Sequence, residues 1–213
     1  MRRVAIDPER PARELLLEAA DVIAAGGIVA IPTDTLYGLA ADPFSPEAVA
    51  RLFAVKGRAA ERAIALIAVD VIQINEKLGP LLPVEQRLAK AYWPGPLTLL
   101  VERPSSIPAE LTGGNYRVGV RVPAHNVARL LCRACGRPLT ATSANMSGEP
   151  ASANPDVIAR EFASSDVDLL LDAGPTPGGP PSTVVYWFGH DHIRLVRPGA
   201  IDFDELQACA RRE

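Results

Sequence analysis

Cysteine is scarce. Cys132, Cys135 and Cys209 are three, an odd number unsuited to a disulfide framework, and they fit a reducing compartment. Cys132-x-x-Cys135 lies in a helical pattern with no second pair, and one nearby histidine, His125, does not complete a zinc site. Histidine is as rare; His190-Asp191-His192 follows Gly189 between two apolar runs, where a hairpin turn is the better account. No long apolar run exists. The opening MRRVAIDPERPARE lacks the apolar core of a leader, and the apolar stretch at 22–31 is far too short to cross a membrane and contains Gly26-Gly27. The expectation is a cytoplasmic protein with no membrane partner.

Several catalytic devices are also missing. There is no Gly-rich loop ending in Lys-Ser/Thr, no defensible Ser/His/Asp set, and no cysteine beside a convincing base. These absences turn the argument from covalent catalysis toward positioning and electrostatic stabilisation. Net charge is −3, so bulk electrostatics do not advertise nucleic acid. The distribution is uneven, however. Residues 111–148 hold Arg117, Arg121, Arg129, Arg133 and Arg137 with no Asp or Glu, whereas 149–172 hold six acids and one arginine. Such a chain can present a cationic face despite a negative total.

At 213 residues, 48% of them apolar and 22% charged, the chain has the size and composition of one globular domain. Its organising stretch is 28–58. Ile28-Val29-Ala30-Ile31 reads as a buried strand, ended by Pro32, which has no N–H for a ladder. Thr33, Asp34, Thr35 and Tyr37 then supply four hydrogen-bonding side chains in five positions, more than a plain reversal needs. Ser45 and Pro46 open a helix over 46–55, and Gly57 lies where its cap belongs, between Lys56 and Arg58. Two cations at a helix end either answer the dipole and stay solvated or clamp a polyanion such as a triphosphate.

Elsewhere, periodicity predicts helices over 11–25, 85–92, 126–135, 155–163 and 202–211. It predicts strands over 64–69, 97–101, 118–122, 139–142, 169–171, 184–187 and 193–196. The alternation makes the class α/β, with no internal repeat and no domain boundary. In open α/β sheets ligands bind beyond strand ends. Thr33-Asp34-Thr35, Arg121, Thr142-Ser143-Ala144-Asn145, Ser182-Thr183 and Arg197 all occupy such positions. Taken singly, each is an ordinary turn or surface residue. Together they make an anion pocket.

The motifs PTDTLYGL at 32–39, KGR at 56–58, WPGPLTLLV at 93–101, VGVRVP at 118–123, TSANMSG at 142–148, STVV at 182–185 and VRPG at 196–199 resemble the YrdC-like family of L-threonylcarbamoyladenylate synthases. The resemblance runs from about residue 12 to 200. It implies one domain over 1–213, with a C-terminal helix at about 202–211, built as a twisted open mixed sheet flanked by helices around a concave, positively charged cavity. It also implies the reaction: L-threonine, bicarbonate and ATP, with Mg²⁺ on the nucleotide, give L-threonylcarbamoyladenylate and pyrophosphate. Other proteins then transfer the threonylcarbamoyl group to tRNA.

By this resemblance Lys56 and Arg58 are catalytic and bind ATP with Ser143, Asn145, Ser182 and Arg197, while Thr35, Tyr37, Arg121 and Thr142 bind threonine; no metal is held by the chain alone. Ser143 and Asn145 are expected on the wall opposite Lys56 and Arg58. Two departures from the family pattern bear on ATP contacts. A helix-permissive Ala-Ala-Glu-Arg-Ala-Ile fills 59–64, where a Pro-rich loop is usual, and Ala151 stands where a hydroxyl is common. Two alternatives are a double-stranded RNA or tRNA binder of the same fold and a paralogue without synthase activity.

Overall fold

The computed structural model describes residues 1–57 and 63–211. Arg58 and the departure at 59–62 therefore lie outside the described residues. The order is β1 (Arg2–Ala5), α1 (Arg13–Ala24), β2 (Val29–Ile31), β3 (Gly38–Ala40), α2 (Pro46–Lys56), β4 (Leu66–Ile67), α3 (Val71–Leu78), α4 (Pro83–Tyr92), β5 (Leu97–Glu102), β6 (Arg117–Arg121), α5 (Asn126–Ala134), β7 (Leu139–Thr140), β8 (Thr142–Ser143), α6 (Pro155–Glu161), β9 (Leu169–Asp172), β10 (Thr183–Gly189), β11 (His192–Arg197) and α7 (Phe203–Ala210), with a 3₁₀ turn at Ala109–Thr112.

The mixed α/β architecture stands, but the strands divide into two sheets. One runs β1-β9-β2-β3-β8, the other β11-β10-β5-β6-β4-β7, and both mix parallel and antiparallel pairs. The split explains one expected strand that became two. Over 139–142 the chain leaves the second sheet after Thr140, where β7 pairs with β4, and joins the first at Thr142, where β8 pairs with β3. Ala141 is the crossing point, its N–H donating to the Ala65 carbonyl.

β2 is buried on both faces. Ile28 and Ala30 join one core cluster with Leu39, Leu52, Leu66, Val120 and Phe162; Val29 and Ile31 join another with Ile23, Ile67, Leu131 and Leu169. A strand covered on both sides has no polar alternation, which is why it reads as a continuous apolar run. β6 has two unlike faces. Val118 and Val120 enter the core, while Arg117, Gly119 and Arg121 face a cavity.

α2 begins as its residues dictate, Ser45 Oγ accepting from the Ala48 N–H at 3.1 Å with Pro46 in the first turn. It ends at Gly57, whose φ of 55° is left-handed. Two elements have weak signals in the chain. β1 is a short edge strand with mostly exposed side chains, and α3 has only eight residues, started by Asp70 capping the Gln73 N–H. The 189–192 turn is the expected hairpin, joining β10 to β11.

Candidate active site

A cavity of about 700 Å³ lies on the face of the second sheet, against the 33–38 turn and the start of β8. Its lining includes Thr33, Thr35, Thr98, Arg117, Arg121, Thr142, Ser143, Ser182 and Arg197. Among its described lining residues there is no carboxylate.

The turn after β2 is wired internally. Thr33 Oγ1 donates to the Leu36 carbonyl at 2.7 Å and accepts from the Thr35 N–H at 3.2 Å. Its single proton is thus committed, so in the 3.2 Å contact between the two hydroxyls Thr35 is the donor. The Thr35 oxygen keeps lone pairs for a donor in the cavity.

Arg121 ends β6 with only 8% of its surface exposed. Its Nη2 stands 3.3 Å from Asp34 Oδ1, yet Asp34 Oδ1 and Arg121 Nη1 are both buried without a hydrogen-bond partner. Unsatisfied buried charged groups are costly, and a bound carboxylate would relieve the arginine. Burial pushes the Arg121 guanidinium below its ordinary pKa; Asp34 opposes the shift and the positive charge of Arg197 adds to it. Arg197 is placed by Ser182. Its Nη2 donates to the Ser182 carbonyl at 2.9 Å and to Ser182 Oγ at 3.0 Å, and Ser182 Oγ meets Thr98 Oγ1 at 2.7 Å.

Lys56 and its neighbours form a second layer. Lys56 is 2% exposed, so its ammonium does not sit solvated at the helix end. Nζ donates to the Ser143 carbonyl at 2.5 Å and to Asn145 Oδ1 at 2.8 Å. Ser143 Oγ also donates to Asn145 Oδ1 at 2.5 Å, so the Ser-x-Asn side chains do turn to one side. Lys56 does not face Ser143 and Asn145 from an opposite wall: the three form one bonded cluster, and the turn after β8 is tied to the end of α2 by the Ser147 N–H donating to the Lys56 carbonyl. Ser143 reaches the cavity wall; Lys56 and Asn145 are not among its described lining residues.

Thr35, Arg121, Thr142, Ser143, Ser182 and Arg197 therefore share one cavity. Tyr37 borders it but turns its hydroxyl away, to the Gly174 carbonyl at 2.8 Å. Arg117 and Thr98 were not among the expected site residues, and Asp34 was expected only as part of the polar turn. Arg117 was legible: it lies four residues from Arg121 on an alternating strand and so shares its face. It stacks between the rings of Tyr116 and Tyr186, at 4.7 and 4.3 Å from their centroids.

A family model for Sua5, YciO and YrdC proteins, described as telomere recombination, matches residues 21–199. The chain belongs to the Sua5/YciO/YrdC family. Members similar to it include the threonylcarbamoyl-AMP synthase of Pyrococcus abyssi, 37% identical over 190 residues, which are 89% of this chain and 55% of the relative. The putative threonylcarbamoyl-AMP synthase of Mycobacterium tuberculosis is 34% identical over 200 residues, 94% of this chain and 90% of that protein. The crystal structure of P. abyssi Sua5 complexed with L-threonine superposes with a TM-score of 0.91 at 33% identity, over 98% of this chain and 61% of that one. This Sua5/YciO/YrdC chain thus spans little more than half the length of the archaeal relative.

Proposed function

We propose that the chain is an L-threonylcarbamoyladenylate synthase, a nucleotidyltransferase that joins L-threonine, bicarbonate and ATP and releases pyrophosphate. The observation that carries this reading is Arg121. It is a buried guanidinium with Nη1 unpartnered, at a cavity that also holds the Thr35 hydroxyl and Arg197. A free amino acid answers that arrangement: its carboxylate satisfies Arg121 bidentately, and its ammonium or hydroxyl meets the Thr35 oxygen. Thr142 stands on the same wall. Relatives named threonylcarbamoyl-AMP synthase, and a relative complexed with L-threonine, support the choice of amino acid.

In this reading the threonine amine and bicarbonate form an N-carboxy species inside the cavity, sheltered from water. Its carboxylate oxygen attacks the α-phosphorus of ATP, and pyrophosphate leaves. Negative charge builds on phosphate oxygens in the transition state, where fixed cations act most strongly. Arg197, held by Ser182, faces that charge from one side. Lys56 and Arg58 are assigned to the triphosphate, with Ser143 on the cavity wall and Asn145 holding Lys56. Mg²⁺ arrives as part of the nucleotide substrate, bound by phosphates and waters. Among the described residues no group of three or more His, Cys, Asp or Glu is placed to hold a metal.

The chain acts as a single domain, and its product passes to other proteins that modify tRNA. No helix among the described residues is long and apolar enough to cross a membrane. The test is pyrophosphate release from ATP, bicarbonate and L-threonine. Omission of any one substrate abolishes release; release without threonine refutes the assignment. An RNA-binding role instead predicts affinity without ATP that falls steeply with salt.

A further inference from the structure

The Pro/Gly-rich segment at 173–182, AGPTPGGPPS, connects β9 to β10 and would pass for a linker. Its bonds say otherwise. The Thr35 carbonyl accepts two of them, from Thr176 Oγ1 at 2.8 Å and from the Gly178 N–H at 2.8 Å. Two residues on, the Tyr37 hydroxyl donates to the Gly174 carbonyl at 2.8 Å and accepts from the Ala173 N–H at 3.1 Å. Tyr37 is fully buried, and burial pushes its phenol up to about 12, so it stays a donor throughout the working range. Thr176 is also buried, and its own N–H donates to the Ala153 carbonyl at 2.9 Å. At its far end the same segment supplies Ser182, whose carbonyl and hydroxyl receive Arg197. Four prolines stiffen the stretch between these anchors.

We propose that residues 173–182 are a rigid brace linking the 33–37 turn to Ser182 at the cavity wall, and that Tyr37 and Thr176 are positioning residues that set the Thr35 hydroxyl at a fixed distance from Arg197. Given the proposed function, the brace holds the threonine side of the cavity in register with the phosphate side. Tyr37 thereby acts through the backbone on either side of it, not by touching substrate through its hydroxyl. Thr176, which is not among the described lining residues, enters the site's machinery for the same reason.

Three variants test this. Thr176→Val keeps the shape and removes the donor, Thr176→Ser keeps the donor, and Tyr37→Phe removes one oxygen. Loss of the one Thr176 hydroxyl bond in Thr176→Val, or of the two bonds of the Tyr37 hydroxyl in Tyr37→Phe, is expected to raise the threonine KM by about three- to tenfold. The ATP KM should stay within about twofold, and Thr176→Ser should return the threonine KM to near wild type. Equal rises in both KM values, an unchanged threonine KM, or failure of serine to rescue overturns the brace. Amide hydrogen exchange reads the brace without reference to activity. The Ala173 amide should exchange at least about tenfold faster in Tyr37→Phe, because its acceptor is gone; unchanged exchange overturns the proposal. Wild-type protein that releases no threonine-dependent pyrophosphate would instead refute the functional reading, leaving the brace to the exchange measurement.

Discussion

Replacing Lys56 with methionine separates a buried strut from a solvated helix cap. Were Lys56 only answering the α2 dipole, its loss would cost from a few tenths to about 1 kcal/mol. The residue is instead 2% exposed, and its ammonium donates to the Ser143 carbonyl and Asn145 Oδ1. Hydrogen bonds from a charged donor contribute about 1.5–3 kcal/mol each, partly offset by the desolvation the ammonium no longer suffers. Asn145 Oδ1 retains its bond from Ser143 Oγ, but the Ser143 carbonyl loses this donor. A net loss of about 2–4 kcal/mol follows, which for a chain this size lowers Tm by about 5–15 °C. Displacement of Ser143 from the cavity wall, with loss of the cation proposed to serve the triphosphate, should reduce turnover by about a hundredfold or more. Thermal melts and pyrophosphate release on Lys56→Met check both figures. A variant that melts within about 1 °C of wild type and turns over normally refutes the reasoning. Retained turnover with lost stability would keep the strut and remove the clamp.

Three other outcomes are expected. Arg121→Lys, which replaces a bidentate fork with a point charge, should raise the threonine KM far more than the ATP KM; equal changes would end the assignment of Arg121 to the threonine carboxylate. His125 is held below its ordinary 6.5, first by burial, against the opposing pull of Asp34 and Glu9 and with help from Arg129. The unfolded chain therefore takes up that proton first, so stability should fall as pH drops from about 6.5 toward the lower folded value. His125→Gln should flatten that slope in denaturant titrations, and an unchanged slope would exclude the residue. Gly57→Ala puts a side chain at φ 55° and should destabilise by about 1 kcal/mol, a loss of some 2–4 °C in Tm; an unaltered melt would show that the cap is not strained.

Much of this architecture was legible because local rules and tertiary packing agree. Ser45, Pro46 and Gly57 mark both ends of α2 by chemistry that operates within one turn of backbone. The Thr33–Tyr37 turn was visible as an excess of polar side chains, and Arg121 as the odd residue on an alternating strand. What stayed hidden depends on contacts distant in the chain. Nothing within 139–142 announces that Thr140 and Thr142 pair with different sheets, since each sheet's partner strand lies elsewhere. The union of Lys56 with Asn145 joins residues 89 positions apart. Residues 173–182 carry turn composition alone, and only their bonds to Thr35 and Tyr37 show what they hold. Arg117 could have been found by the period-two argument already applied to Arg121.

The most direct test follows labelled carbon. Wild-type protein incubated with ¹⁴C-bicarbonate, ATP and L-threonine should yield a labelled product containing both threonine and AMP, formed in a one-to-one ratio with pyrophosphate. Pyrophosphate without labelled product, or label incorporated equally well in the absence of threonine, would contradict the account.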